Sequence, residues 1–379
     1  MFKLTNEEKN FHINFSPFYA VVAIMLLMFW ANKIQSQEIE EVVVIGAQVY
    51  ESESDPSVDI NVLETIMPAA TVSGGYGSFM GYNERGTQTV HTTIFRNGVP
   101  ANDAGSGWYD FGHDFATGNE KVKIVNGPNS VLYGSGSLGG TVFITDDLKD
   151  GSVIRAGSST FVSHTSNGIN LSYFDADNDS VRTDNDEKDS YNNLTLKGQK
   201  EYGDWKVNVS GTSYEYDYDN CYTASFSQTN DCVQSGNKGT VSVRNDNYTF
   251  GYTFNDAEYE TQGVQTFKSD AERAYVDTRH QVGSTLLGAT VEYEKYSDFD
   301  QNQVSLYSLT SFDSFDVGFR LSEDAFVYRL GTEFNDWYAS LGTSYRNPTL
   351  YELNGDSWTQ PNPTLEPEEA IGYEIGYKN

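Results

Sequence analysis

Side chains that could do chemistry are few in this chain and widely scattered. The five histidines, His12, His91, His113, His164 and His280, share no metal-ligand spacing and have no acidic partner in sequence reach, so each reads as a surface or lumen residue. No Gly-x-Ser-x-Gly elbow, His-Glu-x-x-His helix or nucleophile–base pair occurs, and the chain is expected not to be an enzyme. Carboxylates at alternate positions, at Asp175 to Asp179, Asp184 to Asp189 and Asp217 to Asp219, could offer oxygen ligands to Ca²⁺. Asp217 and Asp219 are the candidate pair; the competing reading is a set of solvated acidic loops, with no other cofactor expected.

The most ordered pattern is a glycine-rich run, Val122-Lys123-Ile124-Val125-Asn126-Gly127-Pro128-Asn129-Ser130-Val131-Leu132-Tyr133-Gly134-Ser135-Gly136-Ser137-Leu138-Gly139-Gly140-Thr141-Val142-Phe143-Ile144. It predicts an apolar strand, a Gly-Pro corner, a helical turn over Ser130 to Tyr133 and a second β-branched strand. Glycine is favoured where φ is positive or backbones approach closely. It is no phosphate loop, since neither a Gly-Lys-Ser/Thr ending nor a helix after the glycines is present.

A formal charge of −30 excludes nucleic acid as a partner. Only 38% of residues are hydrophobic, which excludes a helical membrane protein. The one long apolar run, Phe18 to Trp30, falls short of the roughly 20 residues a spanning helix needs. It reads as the core of a secretory signal over residues 1–37, cleaved near Ser36 or Gln37, with an uncleaved anchor as the alternative. Export would place Cys221 and Cys232 in an oxidising compartment, where a disulfide between them is expected.

From about residue 150 the pattern alternates with period 2. Trp205, Val207 and Val209 alternate with Lys206, Asn208 and Ser210; Tyr248, Phe250, Tyr252 and Phe254 alternate with Thr249, Gly251, Thr253 and Asn255. The same holds at 317–322 and 373–378. One apolar and one polar face per strand suits a lipid-facing wall around a wet lumen, and the 26 Tyr and 22 Phe suit its interfaces. A soluble acidic β-protein would share these averages.

The glycine-rich run resembles the end of the plug domain in TonB-dependent outer-membrane receptors. Val62-Leu63-Glu64-Thr65-Ile66-Met67-Pro68, Gly74-Gly75-Tyr76-Gly77, Asn83-Glu84-Arg85-Gly86 and Ile94-Phe95-Arg96-Asn97-Gly98-Val99-Pro100 follow the order of that domain's motifs. Asn97 replaces the usual Asp, and Asn126 the usual Arg. Tyr345-Arg346-Asn347-Pro348-Thr349-Leu350-Tyr351-Glu352-Leu353 and Asn362-Pro363-Thr364-Leu365-Glu366-Pro367-Glu368 resemble a motif pair of the family's barrel.

The resemblance implies an all-β antiparallel membrane barrel, incomplete here, with a small N-terminal α+β plug. Residues 38–56 would be TonB box and linker, 57–148 plug, and 149–379 partial barrel. Ile39-Glu40-Glu41-Val42-Val43-Val44-Ile45 resembles the TonB box, which would add as a strand to TonB, the partner coupled to the energising complex of the inner membrane. Plug apices carry substrate contacts in this family, making Tyr76, Ser78, Asn102, Ser106, Trp108 and Tyr109 the candidates. Plug arginines pair with barrel glutamates in it; only Arg85 remains at a matching position, with Glu374 as its expected partner, so the lock should be weaker or differently built.

The implied location is the outer membrane of a Gram-negative bacterium, in contact with its lipid. The implied function is active uptake of a small metal-chelate ligand, cobalamin foremost, a ferric siderophore or haem next. A passive porin or outer-membrane hydrolase fits less well, because it would need neither the plug nor the partner-recruiting strand. The alternating segments amount to roughly a dozen strands, against about 22 in such transporters, so the chain is expected to be a C-terminally truncated fragment.

Overall fold

The computed structural model describes residues 49–53, 70–72, 79–83, 86–114, 117, 119–157, 159–179, 188–219, 221–223, 225, 227–355 and 360–377. The expected signal, the TonB-box segment 39–45, Tyr76, Ser78 and Arg85 lie outside them. No helix among these residues is long and apolar enough to cross a membrane.

The N-terminal part is built on five strands, β1 (Val49–Glu53), β4 (Thr92–Arg96), β5 (Val99–Pro100), β6 (Glu120–Asn126) and β7 (Gly140–Asp146), in the order β1-β6-β7-β4-β5. Two short strands, β2 (Ala70–Val72) and β3 (Met80–Tyr82), pair beside it. The glycine-rich run forms as expected: β6 and β7 pair antiparallel, with the helical turn α1 (Ser130–Tyr133) between them. Gly127, with φ of 86°, makes the corner after β6. Asn97 and Gly98, at φ of 50° and 86°, are the two central residues of the tight turn joining β4 to β5, a conformation that Asn-Gly adopts at little cost.

One boundary differs from the expectation. Val49–Glu53, placed by sequence in a linker, is the edge strand of this sheet, paired from Val49↔Val125 to Glu53↔Lys121. Its five residues, Val-Tyr-Glu-Ser-Glu, are mostly exposed and show no apolar alternation, so no period-2 signal marked it. The core of the domain collects Met80, Tyr82, Ile94, Phe111, Val122, Ile124, Val142 and Ile144.

The remainder is one antiparallel meander of fourteen strands. It runs through β8 (Gly151–Ala156), β9 (Ser159–Ser166), β10 (Ile169–Asp179), β11 (Lys188–Tyr202) and β12 (Trp205–Tyr218), then skips a hairpin of β13 (Cys221–Tyr222) and β14 (Gln228–Thr229). It continues through β15 (Cys232–Arg244), β16 (Tyr248–Thr261), β17 (Val264–Val282), β18 (Thr285–Tyr296), β19 (Phe299–Ser311), β20 (Phe315–Ser322), β21 (Phe326–Phe334), β22 (Trp337–Arg346) and β23 (Glu368–Tyr377). The long connections, at 180–187, 219–231 and 347–367, all leave the same end, and a short helix, α2 (Leu350–Asn354), lies in the last. Strands β8 and β23 are the sheet's edges, with no pairing between them among the described residues.

Alternation sets the two faces of this wall. Ile154, Leu171, Leu196, Leu306 and Leu321 are exposed on one face, while Ser163, Asn170, Asn193, Lys197, Asn208, Ser242, Arg273 and Arg320 are buried on the other, against the N-terminal domain. An apolar outside and a polar inside is the pattern of an outer-membrane wall. Asp175 to Asp179 and Asp217, expected in loops, are the ends of β10 and β12, because the pairing continues past the apolar band.

Cys221 and Cys232 form a disulfide, with Cα atoms 6.1 Å apart, that closes the β13–β14 hairpin at the long-loop end. So short a ring is worth about 3 kcal/mol in the chain-entropy model, and it acts on the loop alone. Replacing both cysteines with serine should speed proteolysis between residues 221 and 232 while leaving the heat resistance of the wall unchanged, as read by limited digestion and gel mobility.

Candidate functional site

The N-terminal domain meets the wall through buried charge. Lys197 of β11, with 3% of its side chain exposed, is ion-paired to Glu120 and lies 3.2 Å from Asp146, whose side chains are 0% and 3% exposed. Glu120 sits at the start of β6 and accepts further hydrogen bonds from Thr117 N at 3.0 Å, Thr117 Oγ1 at 2.6 Å and Asn119 N at 3.2 Å. Lys238 of β15 reaches Asp114 Oδ1 at 3.1 Å. Arg96, at the end of β4, joins the two groups by contacting Asp114 at 3.2 Å and Asp146 at 3.4 Å.

These surroundings set the titration of the plug groups. Burial pushes Asp114 upward, but Lys238 and Arg96 outweigh it and hold the carboxyl at about 2. Asp146 behaves alike: burial opposes, and Lys197 with Arg96 lowers its pKa. At Asp110 the balance reverses. Burial raises it to about 6 even though Lys238 pulls the other way and its Oδ1 accepts from Met80 N at 2.9 Å and Gly112 N at 2.8 Å. Burial lowers the pKa of His113, and Lys238 adds to the effect. Its ring stacks on Tyr214 with centroids 3.7 Å apart, and its Nδ1 lies 2.9 Å from Tyr191 Oη.

Further along the wall, arginines grip the plug by its backbone. Arg273 Nη1 donates to Asn102 O at 2.7 Å and Pro100 O at 3.3 Å, while Glu294 and Glu292 balance its charge. Arg320 Nη1 donates to Val131 O at 3.1 Å and Leu132 O at 3.2 Å. The segment after β22 clasps the glycine-rich run: Gly136 N donates to Tyr345 O at 3.0 Å and Asn347 N to Ser135 Oγ at 2.9 Å. Thr349 and Glu352 form a capping box on α2, and Arg346 bridges Glu352 to Glu368, which also meets His91 at 2.8 Å.

Above this interface, at the long-loop end, a cleft of about 170 Å³ opens between the turn 103–108 and strands β11, β12, β15 and β16. Phe79, Trp108, Tyr214, Tyr259, Gln234 and Asn255 line it. Of the expected ligand contacts, Trp108 is 51% exposed, with its ring 5.1 Å from that of Phe79, and Ser106 lies at the rim, its Oγ donating to Asp103 Oδ1 at 2.8 Å.

The other two described candidates are structural. Asn102 is buried, accepting from Ile94 N at 2.7 Å and donating to Thr92 O and Gly107 O, each at 3.0 Å. Tyr109 is buried and donates to Asp114. Both therefore shape the turn, and both also border the cleft.

Glu374, the expected lock partner, accepts from Tyr338 Oη at 3.2 Å. Its expected partner Arg85 lies outside the described residues; among these, the buried ion pairs between plug and wall put Lys197 and Lys238 of the wall against Glu120, Asp146 and Asp114 of the plug. Asp217 is exposed and Asp219 buried beside Asp189, and among the described residues no three His, Cys, Asp or Glu side chains converge as a metal ion requires. Sequence reading missed Lys197, Lys238, Glu120, Asp114 and Asp146; the one available signal was a lysine on the inward parity of β11.

A folded plug filling a polar-lined antiparallel wall defines a plug-and-barrel protein of the bacterial outer membrane. Residues 35–141 match the family described as TonB-dependent Receptor Plug Domain. The vitamin B12 transporter BtuB of Photobacterium profundum is 26% identical over 92% of this chain and 66% of its own length. That of Vibrio vulnificus is 24% identical over 84% and 61%. The chain thus spans just under two thirds of the length of these curated relatives.

Among solved structures, the ferric enterobactin receptor PfeA superposes with a TM-score of 0.60 at 13% identity, over 87% of this chain and 70% of that one. The siderophore receptor PirA from Acinetobacter baumannii gives 0.60 at 14%, over 89% and 69%. The chain resembles the TonB-dependent receptors in its plug and in its antiparallel wall, and the proteins it resembles are transporters and receptors, not enzymes.

Two outcomes test the interface. Lys197→Met should strand Glu120 and Asp146 in a dry interior and loosen the plug by roughly 3–5 kcal/mol; proteolysis of the plug in the intact receptor measures it, and adding Glu120→Leu should recover part of the loss. Asp110, raised in the fold from its ordinary 3.8 to about 6, favours the neutral acid, so its contribution to stability falls as pH rises through that window. The depressed Asp114 works oppositely, losing its contribution only as pH falls toward about 2. Asp110→Asn should therefore gain melting temperature over the unchanged protein progressively from about pH 4 to pH 6 and by a constant amount above.

Proposed function

We propose that this protein takes up a corrinoid of the cobalamin type across the outer membrane, driven by TonB. The observation that carries this reading is the match of two vitamin B12 transporters across 92% and 84% of the chain. The siderophore receptors match in fold alone, at 13–14% identity.

The chemistry of the outer cleft supports the same choice. Each cation lining it is already held by plug carboxylates: Arg96 by Asp114 and Asp146, Lys197 by Glu120 and Asp146, Lys238 by Asp114. Aromatic rings, amides and the carboxylates of Asp103 and Asp110 make up much of the rest. A polyanionic ferric catecholate would find no uncommitted cation among these lining residues, whereas a neutral corrinoid can use stacking and amide hydrogen bonds.

On this reading the ligand settles between turn 103–108 and the wall, and the Ile39–Ile45 segment pairs with TonB as an added strand. Tension would enter the plug at β1, the sheet's edge. There the side-chain ion pairs Lys123–Glu51 at 3.6 Å and Lys121–Glu53 at 3.9 Å reach into solvent and cost little to break.

The test is equilibrium binding of cyanocobalamin and ferric enterobactin to the purified receptor, with uptake into cells that have or lack TonB. Saturable cyanocobalamin binding in both backgrounds, with uptake only where TonB is present, is expected. Saturable ferric enterobactin binding without cyanocobalamin binding would transfer the reading to the siderophore class.

A further inference from the structure

One carboxylate bordering the outer cleft stands apart from the lysine and arginine ion pairs between plug and wall. Asp110 lines the cleft with Phe79, Trp108, His113 and Tyr214, and its side chain is 23% exposed. Its Oδ1 accepts from Met80 N, next to Phe79, at 2.9 Å and from Gly112 N at 2.8 Å, while its backbone O accepts from Lys238 Nζ of the wall at 3.1 Å. Its Oδ2 lies 3.4 Å from His113 Nε2. This one side chain therefore ties the residues beside Phe79 to the segment that carries Trp108 and, through His113, to Tyr214 of β12.

The neighbours of His113 place its proton. Asn193 Nδ2 donates to the backbone O of His113 at 3.1 Å, which fixes the amide, and to Tyr191 Oη at 3.1 Å. The Tyr191 hydroxyl thus directs its own proton to His113 Nδ1, 2.9 Å away. Burial and Lys238 keep the imidazole neutral, so its single N–H is at Nε2 and faces Asp110 Oδ2. That nitrogen is buried and hydrogen-bonded to nothing else among the described residues.

From this arrangement we infer that Asp110 is a positioning residue of the ligand cleft, and that its ionised form is the one that holds Phe79 and Trp108 ready for the ligand. The inference rests on the uptake reading. A carboxylate accepts the N–H groups of Met80 and Gly112 about twice as strongly as a neutral acid does. A protonated Oδ2 also sets a hydroxyl against the His113 N–H, two donors on one line, so the side chain is driven to turn away and its hold on Met80 N weakens.

The groups around Asp110 are Lys238 of β15, His113 and Asp114 of its own segment, and Tyr191, Tyr214 and Tyr259 of β11, β12 and β16. Asp114 stays ionised down to about pH 2, His113 stays neutral, and tyrosine hydroxyls ordinarily ionise only near about 10. In mildly acidic water Asp110, at about 6, is the one among them that changes charge. Burial makes that charge costly, and an asparagine would satisfy the same two N–H groups without it. A carboxylate placed in a cleft against the interest of stability points to a role toward the ligand. Linkage fixes the sign: a ligand that needs the ionised form lowers the pKa of Asp110 and releases a proton on binding, so affinity falls as pH falls through about 6.

The experiment measures cyanocobalamin binding to the whole purified receptor from about pH 5 to about pH 8, in the parent and in Asp110→Asn. Parent affinity should fall several-fold on acidification through about pH 6. Asp110→Asn should bind several-fold more weakly than the parent at the alkaline end and show no such slope, although it melts at a higher temperature. A merely structural role would lower affinity and melting temperature together. Without ligand, the Trp108 share of the fluorescence, taken as the difference from Trp108→Phe, should shift over the same pH range in the parent and stay constant in Asp110→Asn. A parent affinity that does not fall on acidification, or an Asp110→Asn profile equal to the parent's, would overturn the inference. If the parent binds no cyanocobalamin at any pH, the uptake reading fails by itself, while the Trp108 emission still decides whether Asp110 sets the aromatic pair.

Discussion

The fit of plug to wall depends on a small set of charges kept away from water. Glu120, Asp146 and Asp114 face Lys197, Lys238 and Arg96, three carboxylates against three cations, so the buried layer is neutral as a whole. Taking such ions out of water is costly, and the cost is offset only where geometry and extra hydrogen bonds satisfy each oxygen. Asp146 shows how closely that condition is met. One oxygen faces Arg96 and Lys197, the other accepts from Asn97 Nδ2 at 2.7 Å, and its backbone N donates to Asn97 Oδ1 at 2.9 Å. An aspartate at 97 would set two carboxylates against each other there, which gives the asparagine at this turn a physical reason. Among the described residues the lock of plug and wall is thus made by Lys197 and Lys238 of the wall with carboxylates of the plug, while Arg85 lies outside them.

Much of the architecture was legible because it is local. Period-2 alternation gave the wall and its two faces, and the order of glycines gave the β6–α1–β7 unit with its helical turn at Ser130–Tyr133. What escaped was set by pairing across long separations. Lys197 meets Glu120 across 77 positions, and neither residue's neighbours name the other. Strand β1 was missed because its two apolar residues, Val49 and Tyr50, are adjacent and exposed and so carry no hydrophobic period; its place comes from the partner, β6. Asn102 and Tyr109 had the right types for ligand contact, but the same amide and hydroxyl serve equally well to tie a turn.

The two stretches that most resemble the receptor family meet in space. Residues 345–353 lie against residues 134–140, linked by Gly136 to Tyr345 and Ser135 to Asn347, and α2 touches the outer turn where Tyr351 N donates to Gly105 O at 3.0 Å. Leu350 completes the contact by packing with Ala104, Ala271 and Tyr296. Two segments some two hundred residues apart thus share one set of contacts. One ends the plug, and the other connects β22 to β23 of the wall.

The same charges that hold the plug also determine how it can move. Between opposite charges in a dry interface the attraction is large, and it falls steeply as water raises the local dielectric. Water entering beside Lys197 would solvate the ions it separates, so this contact is strong while dry and weak once wet. Side chains at 0–3% exposure keep it dry. At the short-turn end a cavity of about 900 Å³ borders β11, β12 and β15 as well as β17–β19, and the links that Arg273 and Arg320 make to the plug are hydrogen bonds to carbonyls that water can replace one for one. Separating Lys197 from Glu120 and Asp146 therefore costs more than exchanging the hydrogen bonds of Arg273 and Arg320, and the ion pairs are the contacts that keep the plug seated in its wall.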